Sequence, residues 1–304
     1  MSASFDRVRF YVTFPAVPVP VVEVWRILSA YLKNHKFLPK QFEVSQIAGH
    51  QEKYHSPKRL KLSASEIEKL IEERKLDGFG IDSGRLHKSL DFKLYHAKTL
   101  GEQTTFYGVA AIQAHAPNDW GPMLETLLSN FFSTGAWQWR GLYRDWQGAN
   151  CIEMGYEEFY GQLPPGYTTW QEPSIDGDLP GKTLIDISLN PGRSKQLYPY
   201  SHFYPSAEMW LGPSFWQYTK CTKEEALAAD FYIEKRDTPH YLYLKCWPDA
   251  FTRPDGEQGR MQQRLWKLFF HEDCEWPPGS GTICDEPMYG PPELMPGYKA
   301  ATDG

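Results

Sequence analysis

Residues 145–181 combine acidic and aromatic side chains, a composition typical of surfaces that bind other proteins. Seven carboxylates lie between Asp145 and Asp178, and that span contains no Lys or Arg. Its Trp and Tyr side chains are of the types that dominate binding energy at protein interfaces, and the carboxylates could meet a basic partner. The resulting candidate partner-binding residues are Glu157, Glu158, Tyr160, Trp170, Glu172, Asp176 and Asp178.

A simpler interpretation of the same segment stays open. Its aromatic residues could fold the loop onto the protein's own core, while the carboxylates keep it soluble. Pro164-Pro165-Gly166 and other Gly and Pro residues interrupt regular structure, so the sequence predicts a long irregular loop. Loops of that length are usually either functional or disordered, and the aromatic residues argue against disorder.

Other groups of residues suggest chemistry only superficially. The glycines of DGEQGR (255–260) do not follow a strand in a βαβ unit, so they do not predict a dinucleotide loop. Glu157 and Glu158 are adjacent, and on a helix their side chains would diverge rather than form a catalytic pair. Arg193, in the sequence NPGR, could bind an anion or simply support a turn. We predict no catalytic residue and no cofactor, and expect that the protein is not an enzyme.

Cysteine and histidine spacing predicts neither a metal site nor a disulfide framework. The five cysteines are scattered without a CxxC pair, and the nine histidines form no HExxH pattern. Free thiols are typical of a reducing compartment, which favours a cytoplasmic location. No run of about 18 apolar residues is present, so we expect no membrane partner.

Charge is distributed unevenly along the chain. Residues 1–100 carry a net charge of +6, whereas residues 101–304 carry −12. An acidic surface repels polyanions, so we expect no nucleic-acid partner for the larger part. The same acidity could equally serve solubility alone.

Alternation and helical periodicity together predict an α+β fold. Alternating apolar residues predict strands at 5–14, within 88–113 and within 231–247, and the last two regions each form a hairpin. Helices are predicted at 21–33, 120–133 and 257–271. Another is predicted to run from a Ser65–Glu68 capping box to about residue 76, with Gly78 as its stop. A short helix is predicted after a Thr222–Glu225 capping box. The fold class is therefore antiparallel sheets with helices packed on their faces.

The stretch from 182 to 218 is the predicted centre of the fold. It begins with an alternating strand, KTLIDISL, turns at Asn190-Pro191-Gly192, and ends in EMWLGPSFWQY. We expect Met209, Trp210, Phe215 and Trp216 to be mostly buried. Trp137 and Trp139 lie two residues apart in another predicted strand, so both face one side, as part of the core or as an aromatic platform.

A hairpin followed by a helix occurs twice in the predicted order of elements. The chain could therefore form two related lobes. The predicted division is an N-terminal lobe at 1–140, a C-terminal lobe at 141–272 and a tail at 273–304. The tail holds six Pro and five Gly, too many for a fold of its own.

The C-terminal half resembles a known family. The combination of ISLNPGR, EMWLGPSFWQY, a TKEEAL helix, a hairpin and WPDAFTRPDGEQGRMQQRLWKLFF is similar to predicted immunity proteins of bacterial polymorphic-toxin systems, and among them to immunity protein family fifty-two. The likeness covers about residues 105–272. It implies an α+β cytoplasmic protein that binds one secreted toxin and blocks it, without catalysis of its own.

Two alternatives to occlusion stay open. One is a carbohydrate-active or carbohydrate-binding protein that uses Trp platforms and loop carboxylates. The other is an immunity enzyme that reverses the toxin's modification.

Overall fold

A computed structural model provides the structure, which describes residues 8–15, 19–34, 42–44, 46–47, 60–82, 89–97, 106–115, 120–140, 143, 147, 169–171, 183–185, 190–198 and 201–271. Strands in these ranges are β1 (Val8–Thr13), β2 (Phe42–Val44), β3 (Gln46–Ile47), β4 (Leu60–Leu62), β5 (Leu76–Asp82), β6 (Ser89–Ala97), β7 (Phe106–His115), β8 (Gly135–Arg140), β9 (Thr169–Gln171), β10 (Thr183–Ile185), β11 (Lys195–Tyr198), β12 (Ser201–Phe203), β13 (Glu208–Leu211), β14 (Glu234–Asp237) and β15 (Leu242–Lys245). Helices are α1 (Val21–Asn34), α2 (Ala64–Glu72), α3 (Gly121–Asn130), α4 (Lys223–Ala228) and α5 (Gly256–Phe270), with a 3-10 helix at Phe215–Gln217.

Nine strands form one sheet in the order β14-β15-β13-β8-β1-β7-β6-β5-β3. Every strand pair within the described ranges is antiparallel. The predicted hairpins are present as β6–β7 and β14–β15, and both belong to this sheet. The α+β fold class predicted from the sequence is therefore confirmed.

The sheet continues across the predicted boundary after residue 140. Strand β8 lies before that boundary and β13 after it, yet the two pair from Gly135 opposite Leu211 to Gln138 opposite Glu208. Two separate lobes are not seen in the described residues. The proposed division of the chain stays a prediction.

Alternation along the strands builds a core on each side of the sheet. In β1, Phe10 and Val12 point into one cluster and Tyr11 into the other. The first cluster packs under α1, α2 and α3, and includes Trp25, Leu28, Trp120 and Trp210. The second packs under α5 and β12, and includes Trp137, Met209, Phe215 and Trp266. The central strands are thus covered on both faces, which accounts for their apolar side chains in both directions.

Helix α2 begins two residues earlier than predicted. Its capping box consists of Ser63 and Glu66 rather than Ser65 and Glu68: the Glu66 N–H donates to Ser63 Oγ at 3.3 Å, and the Ser63 N–H donates to Glu66 Oε2 at 2.7 Å. The predicted stop at Gly78 is also wrong, because the helix ends at Glu72 and Gly78 pairs with Lys93 in the sheet.

Helix α3 is shorter than predicted. It ends at Asn130 because Phe131 adopts extended backbone angles, φ −130° and ψ 141°. The following residues bind other backbone instead. Thr134 N–H donates to the Thr13 carbonyl at 3.0 Å, and the Gly212 N–H donates to the Thr134 carbonyl at 2.9 Å. Tertiary hydrogen bonds therefore replace the last predicted helical turn.

The C-terminal elements follow the sequence closely. The Thr222–Glu225 capping box is present at the start of α4. Helix α5 spans Gly256–Phe270, one residue before the predicted range at each end. Asp255 occupies its N-cap position, but its carboxylate pairs with Arg253 at 2.6 Å and makes no capping hydrogen bond.

The aromatic end of the predicted centre is largely buried. Met209, Trp210 and Phe215 are 0%, 1% and 0% exposed, as predicted, whereas Trp216 is half-buried. Gly212 allows this corner to close, because a Cβ there would overlap the Ser133 carbonyl oxygen.

Candidate functional site

The predicted partner-binding residues fall largely outside the described ranges. Trp170 lies in β9, which pairs with β10 so that Trp170 is opposite Leu184. The remaining members of the predicted site lie outside the described residues: Glu157, Glu158, Tyr160, Glu172, Asp176 and Asp178.

Several of the predicted site residues lie in the connection between β9 and β10. Gln171 pairs with Thr183, so residues 172–182 join two antiparallel strands. Glu172, Asp176 and Asp178 lie in that connection by sequence. The two strands form their own small sheet rather than part of the nine-stranded sheet. The predicted site thus contains a hairpin, which the sequence had suggested only as an irregular loop.

The Trp137–Trp139 pair belongs to the core. Trp137 is fully buried and Trp139 is 5% exposed. Trp139 stacks on Tyr204 with ring centroids 4.3 Å apart, and Trp137 packs edge-on against Phe203. Of the two interpretations offered by the sequence, the core position is correct for this pair.

Arg193 supports the NPGR turn from inside. Its side chain is fully buried and lies 4.2 Å above the ring of Trp266. Arg193 donates to the Asn190 carbonyl at 3.0 Å, and the Trp266 indole donates to the Pro191 carbonyl at 2.9 Å. These contacts favour the turn-supporting role over an exposed anion site.

A charged and aromatic cluster, here called the Glu125 cluster, joins α3 to the end of the sheet. Its members are Glu125, Glu208, Trp210, Arg236, Tyr241 and Tyr243. The strand register explains how they meet, because Tyr243 of β15 lies opposite both Trp210 of β13 and Arg236 of β14. Paired residues share a sheet face, and α3 covers that face with Glu125 directed toward it.

Glu125 is an ionised acceptor at the centre of the cluster. Its Oε1 accepts from Arg236 at 2.7 Å and from the Trp210 indole at 3.4 Å. Partial burial alone would raise the pKa of Glu125, but the hydrogen bonds from Arg236 and Trp210 outweigh it, so the pKa lies below its ordinary value. The same hydrogen bond raises the pKa of Arg236.

Tyr243 completes the cluster as a hydrogen-bond donor. Its hydroxyl donates to Glu208 Oε1 at 2.5 Å, and the Arg236 guanidinium lies 4.2 Å from its ring centroid. Burial, followed by the Glu208 hydrogen bond, raises the pKa of Tyr243. Arg236 and Tyr243 thus keep their protons and Glu125 stays ionised near neutral pH.

Sequence reasoning missed the Glu125 cluster because its members come from four separate elements. Glu208 and Trp210 lie two residues apart in β13, as do Glu234 and Arg236 in β14, so the members of each pair share a strand face. The order of the strands, which brings these faces together, was not readable from local pattern.

Two buried thiols lie beneath α4 and β15. Cys221 and Cys246 are free, as predicted for these cysteines. Burial is the main cause that raises the pKa of Cys221 to about 11 and that of Cys246 to about 12. Both therefore remain protonated at neutral pH, and a protonated thiol is a poor nucleophile.

His, Cys, Asp and Glu side chains of the described residues form no group of three or more that could hold a metal ion. None of the described helices combines the length and the hydropathy of a membrane-spanning segment. Comparisons with protein-family models, curated proteins and solved structures find no match for this chain.

Proposed function

We propose that this protein is a cytoplasmic immunity protein that binds a cognate secreted toxin and neutralises it by occlusion, without catalysis of its own. The observation that carries the proposal is the β9–β10 hairpin. Its paired strands hold both ends of a connection that carries three carboxylates, and Trp170 lies two residues before that connection. Segments held in this way commonly present binding residues on a rigid scaffold.

The residue types of the hairpin indicate which kind of toxin surface it would bind. Trp contributes large apolar contact area, and the acidic connection complements a basic face. A toxin that acts on nucleic acid or on another anionic substrate needs such a basic face. Covering that face would block substrate entry without any chemical change to the toxin.

The test uses the toxin candidate encoded beside this protein's gene. We expect its expression in a bacterial host to stop growth, and co-expression of the parent protein to restore growth. Calorimetry then compares the parent with Trp170→Ala and with an Asp176→Ala/Asp178→Ala variant. Each change should weaken binding by at least about 2 kcal/mol, the usual size of a hot-spot effect, without changing the melting temperature.

Asp230→Ala/Asp249→Ala is the matched control, since both residues are exposed and outside the hairpin. It should bind the toxin as the parent does. Unchanged affinity in both hairpin variants would mean that the toxin-binding site lies elsewhere on the protein. Detectable turnover of a sugar or of a modified protein would contradict neutralisation by occlusion.

A further inference from the structure

Helix α5 carries a row of cationic side chains on its outer face. Arg260, Arg264 and Lys267 are exposed, and exposed His271 follows directly after the helix. At 3.6 residues per turn, positions 260, 264 and 267 fall within an arc of about 60°. The only carboxylate on the helix is Glu257, in its first turn. We call Arg260, Arg264 and Lys267 the α5 basic row.

The opposite face of α5 is anchored firmly to the core. Leu265, Trp266, Phe269 and Phe270 are buried, and Gln262 accepts from Tyr143 at 2.8 Å. Packing of this face against the core therefore fixes the direction in which the basic row points. Its three cations span roughly 10 Å between positions 260 and 267, at 1.5 Å per residue.

Neighbouring elements add positive charge near the end of α5. Exposed Lys220 donates its backbone N–H to the Phe269 carbonyl at 2.8 Å. Lys195 Nζ lies 4.6 Å from the ring centroid of Phe270. The ion pairs within the described residues do not include Arg260 or Arg264. A chain with a net charge of −6 thus concentrates cations on one helix face.

We propose that the α5 basic row is a docking surface for an acidic helix of a partner protein. Positions 260, 264 and 267 follow the i, i+4, i+7 spacing of one helix face. A partner helix with Glu or Asp at the same spacing would place a carboxylate opposite each position, as charged flanking residues do between paired helices. This surface differs from the β9–β10 hairpin in position and in charge, and the inference does not depend on the proposed function.

A helix fits this row better than a nucleic acid does. The cations extend over only about two helical turns, a length that a short partner helix matches. A longer polyanion would extend over the rest of the chain, whose acidic charge would repel it.

Two labelled peptides test the proposal directly. One is an Ala-rich helical peptide with Glu repeated at i, i+4, i+7 and i+11, and the other has the same composition with Glu distributed around the helix. Fluorescence anisotropy at roughly 50 mM salt should show binding of the first peptide, weakening with added salt as screening increases. The distributed isomer should bind at least about tenfold more weakly, because only one of its carboxylates at a time can face the row.

Charge reversal locates the binding surface. Arg260→Glu/Arg264→Glu/Lys267→Glu should weaken binding of the first peptide by more than about tenfold. Lys33→Glu/Lys69→Glu/Lys75→Glu makes the same change in net charge at exposed positions of α1, α2 and the turn after it, and should change binding by less than about threefold. A triple Gln variant of the row, with unchanged helix content and melting temperature, should also bind weakly.

Three outcomes would overturn the proposal. The parent could fail to bind the first peptide, or both triple Glu variants could lose binding equally, which would reveal a net-charge effect. A single-stranded oligonucleotide that binds the parent more tightly than the peptide would show that the row recognises phosphate instead.

Discussion

Arg236 and Glu125 lie 111 residues apart in the sequence, and an ion pair of 2.7 Å joins them. Arg236 belongs to β14, the edge strand of the sheet, and Glu125 belongs to α3. The pair therefore fastens the edge strand to the helical layer on one face. On the other face, Lys235 donates to the Leu227 carbonyl at the end of α4 at 2.6 Å. A strand whose four residues are all exposed is thus held from both sides.

Replacing Glu125 by Gln tests this attachment through its pH dependence. The pKa of Glu125 is lower in the folded than in the unfolded protein, so its stabilising effect is fully present above the unfolded value, near pH 4.3. That effect is lost as the pH falls through the lower pKa of the folded state. We expect Glu125→Gln to lower the free energy of unfolding by about 1 kcal/mol at pH 7.

Urea unfolding at pH 7 and at pH 3 measures this effect, and the parent and the variant should converge at the lower pH. Asp230→Asn, at an exposed position, is the control and should change stability little at either pH. An equal loss for Glu125→Gln at both pH values would mean that the ion pair is not the cause.

Trp210→Ala should cost about 3–5 kcal/mol, the usual range for truncating a buried aromatic side chain. Trp210 is 1% exposed, and its ring centroid lies 5.2 Å from that of Tyr243. The measurement is the free energy of unfolding in urea. Trp216→Ala, at a half-buried position, should cost clearly less, and equal losses would contradict the difference in burial.

Gly212→Ala should destabilise the protein by about 1–3 kcal/mol, the range for forcing atoms into a packed site. The added Cβ would overlap the Ser133 carbonyl oxygen, and backbone moves less easily than a side chain. Thermal unfolding measures the loss. Pro213→Ala, at the exposed neighbouring position, is the control and should have a much smaller effect on stability. A Gly212→Ala variant as stable as the parent would show that the corner is less tightly packed than described.

Cys221 and Cys246 should resist labelling by a thiol reagent in the native protein at pH 8. Their pKa values of about 11 and about 12 leave little thiolate, and both side chains are buried. A variant with Ser at positions 151, 274 and 284 limits the measurement to these two cysteines. Labelling should be complete in urea but slow without it, and rapid native labelling would contradict the burial.

The sequence predicted those features of the fold that depend on local pattern. The hairpins at β6–β7 and β14–β15, the Thr222–Glu225 capping box and helix α5 all follow from alternation, periodicity and cap chemistry within a few residues. Errors arose where two local solutions competed. Ser63 and Ser65 could both begin α2, and the structure has the capping box at Ser63, with Ile67 and Ile71 buried.

The Glu125 cluster needed information that no local pattern contains. Trp210 was predicted as buried, but its indole hydrogen bond to Glu125 depends on how α3 lies over β13. In the same way, one continuous sheet could not be predicted from a repeated order of hairpin and helix. The pairing of β8 with β13 joins residues about seventy positions apart, and strand order over such distances is set by tertiary packing.

The position of β1 has a consequence for how the protein is synthesised. This strand is fifth among nine, with β7 on one side and β8 on the other. It is synthesised before both of its partners, which follow it in the chain by about a hundred residues or more. Long-range pairing of this kind slows folding and leaves apolar strands uncovered in the meantime. Because the six residues of β1 link the two halves of the sheet, a separately supplied peptide of this sequence should complete a chain that lacks it.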